Sequence, residues 1–238
     1  MKHVIHKAEE RGHANHGWLN AHHSFSFADW YDPHKIHFGM LRVLNDDVIA
    51  GDKGFGMHPH DNMEIVTIMR KGSLEHRDSM GHQEIIHAGE VQVMSAGTGI
   101  MHSEKNALKD QEVRLFQIWI FPNEKNVTPR YDKVILDEKK LHNNFINIIS
   151  PPGKNKEGSW IHQNAWFNLG KIDKGKTFDY NLQLKGNGVY AFIIEGEAKV
   201  NGFDLKKRDA VGLWETDKFS VDSLSDDMEI LLMEIPMN

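Results

Sequence analysis

Apolar and polar positions alternate with a period of two over short stretches of this chain, and glycine or asparagine turns close each stretch after a few residues. Residues 39–44, 64–69, 84–87, 91–94 and 113–120 carry this pattern, separated by turn signals at Lys71-Gly72, Ala88-Gly89 and Gly97-Thr98-Gly99. Period two places alternate side chains on opposite faces of an extended strand, and frequent turns argue for antiparallel neighbours. The pattern therefore predicts an all-β sandwich or barrel. Residues 132–144 (DKVILDEKKLHNN) depart from it and read as a linker or short helix, and residues 150–159 (SPPGKNKEGS) read as a surface loop. Strands resume beyond the loop and continue to Met237.

With 238 residues there is material for one large domain or two small ones. Charged residues make up 26% and the net charge is -6, so no bulk attraction draws the chain to nucleic acid or an anionic membrane. The absence of cysteine excludes disulfides and thiolate ligands and fits a reducing compartment. Any metal site must then use imidazole and oxygen. The N-terminus, MKHVIHKAEERGH, lacks the apolar centre of a signal peptide, and no stretch approaches the ~20 apolar residues of a membrane span. A soluble, cytoplasmic protein is expected.

Two short pairs concentrate metal-ligand chemistry: His58-Pro59-His60 and His102-Ser103-Glu104. Residues i and i+2 of a strand point the same way, roughly 6.5–7 Å apart, so two strands could each aim two ligands at one ion. Three imidazoles and a carboxylate suit iron, copper, nickel, manganese or zinc and leave room for oxygen or a substrate. Sixteen histidines make chance H-x-H spacing common, and an exposed or structural role competes for each pair. Glu64 shares the parity of His58 and His60 and competes with Glu104 as the carboxylate. When Gly72 is laid on Gly196, the strand-turn-strand pattern around the two glycines matches, and His58 and His60 fall on Leu182 and Leu184. This register predicts a second half of the same fold with an apolar centre, and one metal per chain.

The stretch from Gly54 through His58, His60 and Glu64 to Gly72 resembles the first cupin motif, and that from Gly89 through His102 to Asn106 the second. Ser95 stands where the general pattern prefers proline, and Gly72 closes the first motif one residue late. Further blocks narrow the likeness: Gly17-Trp18-Leu19, His23-Ser24-Phe25-Ser26-Phe27-Ala28, Leu74-Glu75-His76-Arg77-Asp78-Ser79 and Met94-Ser95-Ala96-Gly97-Thr98-Gly99-Ile100-Met101-His102-Ser103-Glu104. Together they resemble the pirin family, densely from Gly17 to Asn106. The resemblance implies a bicupin of two antiparallel β-barrel, jelly-roll domains. Residues 1–135 would form the metal-binding domain and residues 136–238 a degenerate one without metal. It also implies the ligand set His58, His60, His102 and Glu104, with Glu64 in the strand or orienting a ligand histidine.

The same resemblance implies one divalent transition metal per chain, iron in first place, with copper, nickel, manganese, cobalt or zinc as alternatives. The implied activity is dioxygenation of a flavonol such as quercetin at its 2,3-bond, with O₂ consumed, carbon monoxide released and Glu104 as catalytic base. The alternative is a regulatory metal protein whose redox state controls association with a transcription factor or metabolic enzyme. A monomer that binds no nucleic acid directly is expected. His76, Arg77 and Asp78 read as a structural hydrogen-bond cluster, and His22 and His23 as surface residues with a further site as the alternative. Phe25, Phe27 and Phe55 read as core aromatics, with the mouth of an apolar pocket as the alternative.

Overall fold

The computed structural model describes residues 1–154 and 157–238; Asn155 and Lys156, within the stretch read as a surface loop, lie outside the described residues. The first half contains β1 (Lys2–His6), β2 (Gly12–Asn15), β3 (Leu19–His23), β4 (Leu41–Ile49), β5 (Gly54–His60) and β6 (Glu64–Lys71). It continues through β7 (Ser73–Asp78), β8 (Gln83–His87), β9 (Glu90–Ser95), β10 (Ile100–Asn106), β11 (Val113–Ile120) and β12 (Arg130–Ile135). A single helical turn, α1 (Glu138–Leu141), leads to β13 (Phe145–Ser150), β14 (Ser159–Trp160), β15 (Trp166–Ile172), β16 (Thr177–Asn181) and β17 (Asn187–Glu195). The chain ends with β18 (Glu197–Val200), β19 (Phe203–Lys206), β20 (Ala210–Trp214), β21 (Lys218–Ser223) and β22 (Met228–Pro236). No helix among the described residues is long and apolar enough to cross a membrane.

Each half pairs a seven-stranded sheet with a four-stranded one. The long sheets run β12-β9-β6-β11-β4-β3-β2 and β1-β20-β17-β22-β15-β13-β14, and the short ones β5-β10-β7-β8 and β16-β21-β18-β19. The two orders correspond from β9 and β20 to β3 and β13; the place of β12 beside β9 is taken in the second half by β1, from the start of the chain, and at the far edge β14 joins β13 parallel where β2 joins β3 antiparallel. Residues 2–6, which a division at 135/136 counts with the first half, thus complete the second half's sheet. Of residues 132–144, the first four belong to edge strand β12, where Lys133 pairs with Glu84 and Asp132 accepts from Ser159 Oγ at 2.7 Å. The helix that follows is one turn, capped by Asp137, whose carboxylate accepts from Lys139 N at 3.0 Å.

Outer faces of the two long sheets pack against each other. Leu44, Val66, Ile68, Phe116 and Ile118 meet Phe167, Leu169, Tyr190, Phe192, Leu231 and Met233 in one buried cluster. Central strand β6 is consequently buried on both faces from Glu64 to Met69. Around this core, Arg70 donates to both oxygens of Glu229 at 2.8 and 2.5 Å, and Arg208 Nε donates to Asp46 at 2.7 Å. Both guanidinium groups lie over Phe116.

Inner faces differ. In the second half, Val189, Ala191, Val211, Leu213, Ile230 and Leu232 of the long sheet pack against Tyr180, Phe219 and Val221 of the short one. Strand register locates the counterparts of the predicted ligands. His102 lies opposite His58 on β10 and β5, and Phe219 lies opposite Tyr180 on β21 and β16. Tyr180, Leu182, Phe219 and Val221 therefore occupy the places of His58, His60, His102 and Glu104. The Leu182/Leu184 register is off by two residues, because the connection into β17 is two residues longer than that into β6. Leu184 lies in that connection, 40% exposed. The apolar centre holds, with different residues in it.

Two predictions follow from the contact between the halves. A double-mutant cycle of Arg70→Ala and Glu229→Ala, read by urea unfolding, should give a coupling energy of about 1–2 kcal/mol, and additivity within ~0.3 kcal/mol would contradict the pairing. His6 is buried with Nδ1 2.9 Å from Tyr190 Oη, and burial, helped by Lys35, lowers its pKa to about 4. The unfolded chain takes up this proton first, so the contribution of neutral His6 is lost as pH falls from 6.5 to about 4. His6→Gln should flatten that part of the stability profile, and an unchanged slope would refute the assignment.

Candidate metal centre

Antiparallel pairing of β5 with β10 places His58 directly opposite His102, with Ile100 opposite His60. The three imidazoles converge. Ring centroids are 4.3 Å apart for His58 and His102 and 5.0 Å for each pair with His60, and one nitrogen of each lies within 4.8 Å of the others. Among the described residues no other such group of potential ligands occurs. His58 Nδ1 lies 2.8 Å from the Gly56 carbonyl, which fixes the proton on Nδ1 and leaves Nε2 as the free lone pair.

His102 is fully buried, and neither of its ring nitrogens has a hydrogen-bond partner. Leaving a polar atom so costs stability unless something outside the chain satisfies it. Burial first, then the neighbouring histidines, lowers the pKa of His102 to about 2; burial and His58 lower that of His60 to about 4. At neutral pH these rings are uncharged, the form that binds a metal without proton release. Three imidazole nitrogens within 4.8 Å of one another fit a metal ion.

Glu104 shares the inward face of His102, two residues on, and is buried. Its carboxylate accepts from Gln117 Nε2 at 3.1 and 3.3 Å. Thr67 donates to Gln117 Oε1 at 3.0 Å, which holds the amide with its nitrogen toward Glu104. Burial raises the pKa of Glu104, opposed by His58 and the hydrogen bond from Gln117. The carboxylate thus stands beside the imidazole cluster, oriented by Gln117, and is not among the groups within 4.8 Å of one another.

Glu64 lies elsewhere. The turn at residues 61–63, with Asn62 at φ 43°, resets the facing of the chain, and Glu64 joins Val66, Ile68 and Arg70 on the face turned toward the second half. It accepts from Ser95 Oγ at 2.8 Å and from the His162 backbone. Burial pushes its pKa up to about 7, and it orients no ligand histidine. The equal parity with His58 and His60 is broken by the turn.

His58 and His60 open onto a cavity of about 490 Å³ between β5 and the inner face of β3, β4 and β11, with His102 buried behind them. Trp18, Phe27, Phe55, Met57 and Trp119 form its apolar walls; His23, Asn45, Asp47, Glu104 and Gln117 are its polar groups. Phe27 and Phe55 are therefore pocket residues, while Phe25 is buried in the core between the halves. His23 is buried against Asn45 at 2.8 Å, and His22 stacks on His13 at 4.5 Å. Sequence reading missed Asn45, Asp47, Gln117 and Trp119. For Asn45, Asp47 and Gln117 the signal was parity, polar side chains on what would otherwise be the apolar inner face of a strand; Trp119 continues the apolar pattern of β11 and carries no such signal.

His76 Nε2–H donates to the Asp78 carboxylate at 3.1 Å, and His82 Nδ1–H donates to the same carboxylate at 2.9 Å. The His76 ring packs 5.5 Å from that of His102, and Tyr131 stacks on both His76 and His82. This is the hydrogen-bond cluster expected, but it forms the back wall of the imidazole site. Arg77 points outward and donates to Glu75. Titration with cobalt(II), followed by absorbance, should show tight binding that weakens more than about 100-fold in His58→Ala, His60→Ala and His102→Ala alike. Binding that survives all three would place the metal elsewhere.

Comparison with known proteins agrees with this geometry. The Pirin family model matches residues 4–120, and the model of the quercetinase C-terminal cupin domain matches residues 147–235. A quercetin 2,3-dioxygenase of Escherichia coli is 41% identical over 236 residues, covering 98% of each chain. A pirin-like protein of Caulobacter vibrioides is 37% identical and covers 95% of this chain and 96% of its own. The crystal structure of the bacterial pirin YhhW from Escherichia coli in complex with nickel(II) superposes with a TM-score of 0.93 at 38% identity, covering 99% of both chains. With likeness in sequence and fold along its whole length, this chain belongs to the pirin family.

Proposed function

We propose that this protein is a metal-dependent dioxygenase that cleaves flavonols such as quercetin with O₂, opening the central ring and releasing carbon monoxide. The observation that carries the reading is the convergence of His58, His60 and His102, with His58 and His60 at the wall of a 490 Å³ cavity lined by aromatic rings. A cavity of this size, apolar with a few convergent polar groups, suits a planar molecule of two or three fused or linked rings. The names of the relatives support the same substrate class. The proposed ligand set is His58, His60, His102 and Glu104, holding one divalent metal per chain, iron before copper, nickel, manganese, cobalt or zinc.

A bound first-row metal supplies Lewis acidity toward the substrate hydroxyl and a path for electrons to dioxygen. The chain's residues do the rest. Glu104 is buried, and burial raises its pKa, so its carboxylate is a stronger base than an exposed one and takes the proton of the 3-hydroxyl. Gln117 keeps that carboxylate oriented while the proton moves. Trp119 meets Phe27 edge-on at 5.4 Å and His60 at 4.8 Å, giving the flavonol a flat aromatic wall beside the imidazoles. Trp18 and Phe55, 5.3 Å apart, close the other side and keep competing water from the ring being opened.

Protein purified without oxygen and loaded with iron(II) or copper(II) should bleach quercetin absorbance when oxygen is admitted, with carbon monoxide formed in equal amount. His58→Ala should abolish turnover, and Glu104→Gln should lower it by at least about 100-fold. Stoichiometric metal binding with no turnover under any of the metals would contradict the proposal.

A further inference from the structure

Asp47 is used by nothing so far described. It sits on β4 with its side chain inward, paired through the backbone with Ala21 and Leu115. It is 5% exposed, lines the cavity, and its Oδ1 is buried without a hydrogen-bond partner. Other polar groups of this wall are satisfied: Asn45 by His23, Gln117 by Thr67 and Glu104. The second cavity atom left without a partner is Trp119 Nε1.

Register fixes where the two lie. On β11, Leu115 stands opposite Asp47, Gln117 opposite Asn45, and Trp119 two residues further. The rows of Asp47 and Trp119 therefore flank the row of Gln117, about 7 Å along the strands to either side. Gln117 holds Glu104, where the reacting hydroxyl would sit. A ligand centred there reaches Trp119 with one end and Asp47 with the other. An unpaired carboxyl in an apolar wall destabilises the empty protein, and a hydroxyl-bearing ligand supplies what it lacks.

We propose that Asp47 determines specificity: its carboxyl hydrogen-bonds a phenolic hydroxyl on an outer ring of the bound flavonol and so selects polyhydroxylated substrates over bare ones. This rests on the flavonol reading of the cavity. Asp47 suits the task because a carboxyl accepts from a phenol when ionised and can also donate when protonated. The site would prefer quercetin to 3-hydroxyflavone, which keeps the reacting hydroxyl and lacks those on the outer rings.

The test is anaerobic binding to the metal-loaded protein, read by quenching of tryptophan fluorescence, with quercetin and 3-hydroxyflavone as probes. Wild type should bind quercetin at least about tenfold more tightly, Asp47→Leu should lose that preference while holding 3-hydroxyflavone within about twofold, and Asp47→Asn should retain part of it. Without ligand, Asp47→Leu should melt no lower than wild type, since it removes an unpaired buried carboxyl. A preference that persists in Asp47→Leu overturns the assignment alone. Equal loss of both flavonols with a lowered melting temperature also overturns it, in favour of a structural role. Wild type that binds neither flavonol overturns the flavonol reading and this assignment with it.

Discussion

The apolar contact between the outer faces of the two seven-stranded sheets sets the terms for everything else in this molecule. Phe116, Val66 and Ile68 on one side and Phe192, Leu231 and Met233 on the other bury a single continuous core, flanked by the pairs Arg70–Glu229 and Asp46–Arg208. Burial on this scale is the main favourable term in folding. Because it is supplied between the barrels, the inside of the first barrel need not be filled. The inside of the second is filled, by Tyr180, Phe219, Val221 and Leu232.

One architecture thus carries two interiors. In the first half a row of polar side chains, Gln92, Thr67, Gln117, Asn45 and His23, crosses the inner face of the long sheet from strand to strand. The matching row in the second half reads Val211, Ala191, Leu232, Asn168 and Asn147, apolar in its first three places. The short sheets follow suit, with histidines on β5 and β10 and aromatic or aliphatic residues on β16 and β21. The polar wall holds Glu104 in place through Gln117, and the open volume in front of it admits a ligand. Strand β1, which starts the chain and completes the second half's sheet, ties the filled barrel to the open one.

Much of this was legible in the sequence because period-two alternation and turn glycines are local signals. The strands, the convergence of His58, His60 and His102, and the apolar centre of the second half all came from such signals. What escaped depends on longer range. Glu64 shares the parity of His58 and His60, yet the turn at residues 61–63 directs it to the opposite face, an effect that spacing cannot reveal. The counterparts of the histidines shifted from Leu182 and Leu184 to Tyr180 and Leu182 because a longer connection precedes β17. Asn45 and Asp47 lie in the polar run Asn45-Asp46-Asp47 and Gln117 stands alone among apolar neighbours, and only the folded sheet shows that the three share one cavity. The place of β1 in the second half follows from a hydrogen-bonded edge far away in sequence.

The central claim is that one metal is held by the three imidazoles together with Glu104. X-ray absorption at the metal edge, recorded on protein loaded with one equivalent of iron(II), tests it most directly. The account predicts a single site with three imidazole nitrogens and a carboxylate oxygen at about 2.0–2.2 Å, and loss of the carboxylate contribution in Glu104→Gln with the imidazole signal intact. A spectrum unchanged by Glu104→Gln, or one with fewer than three imidazoles, would contradict it.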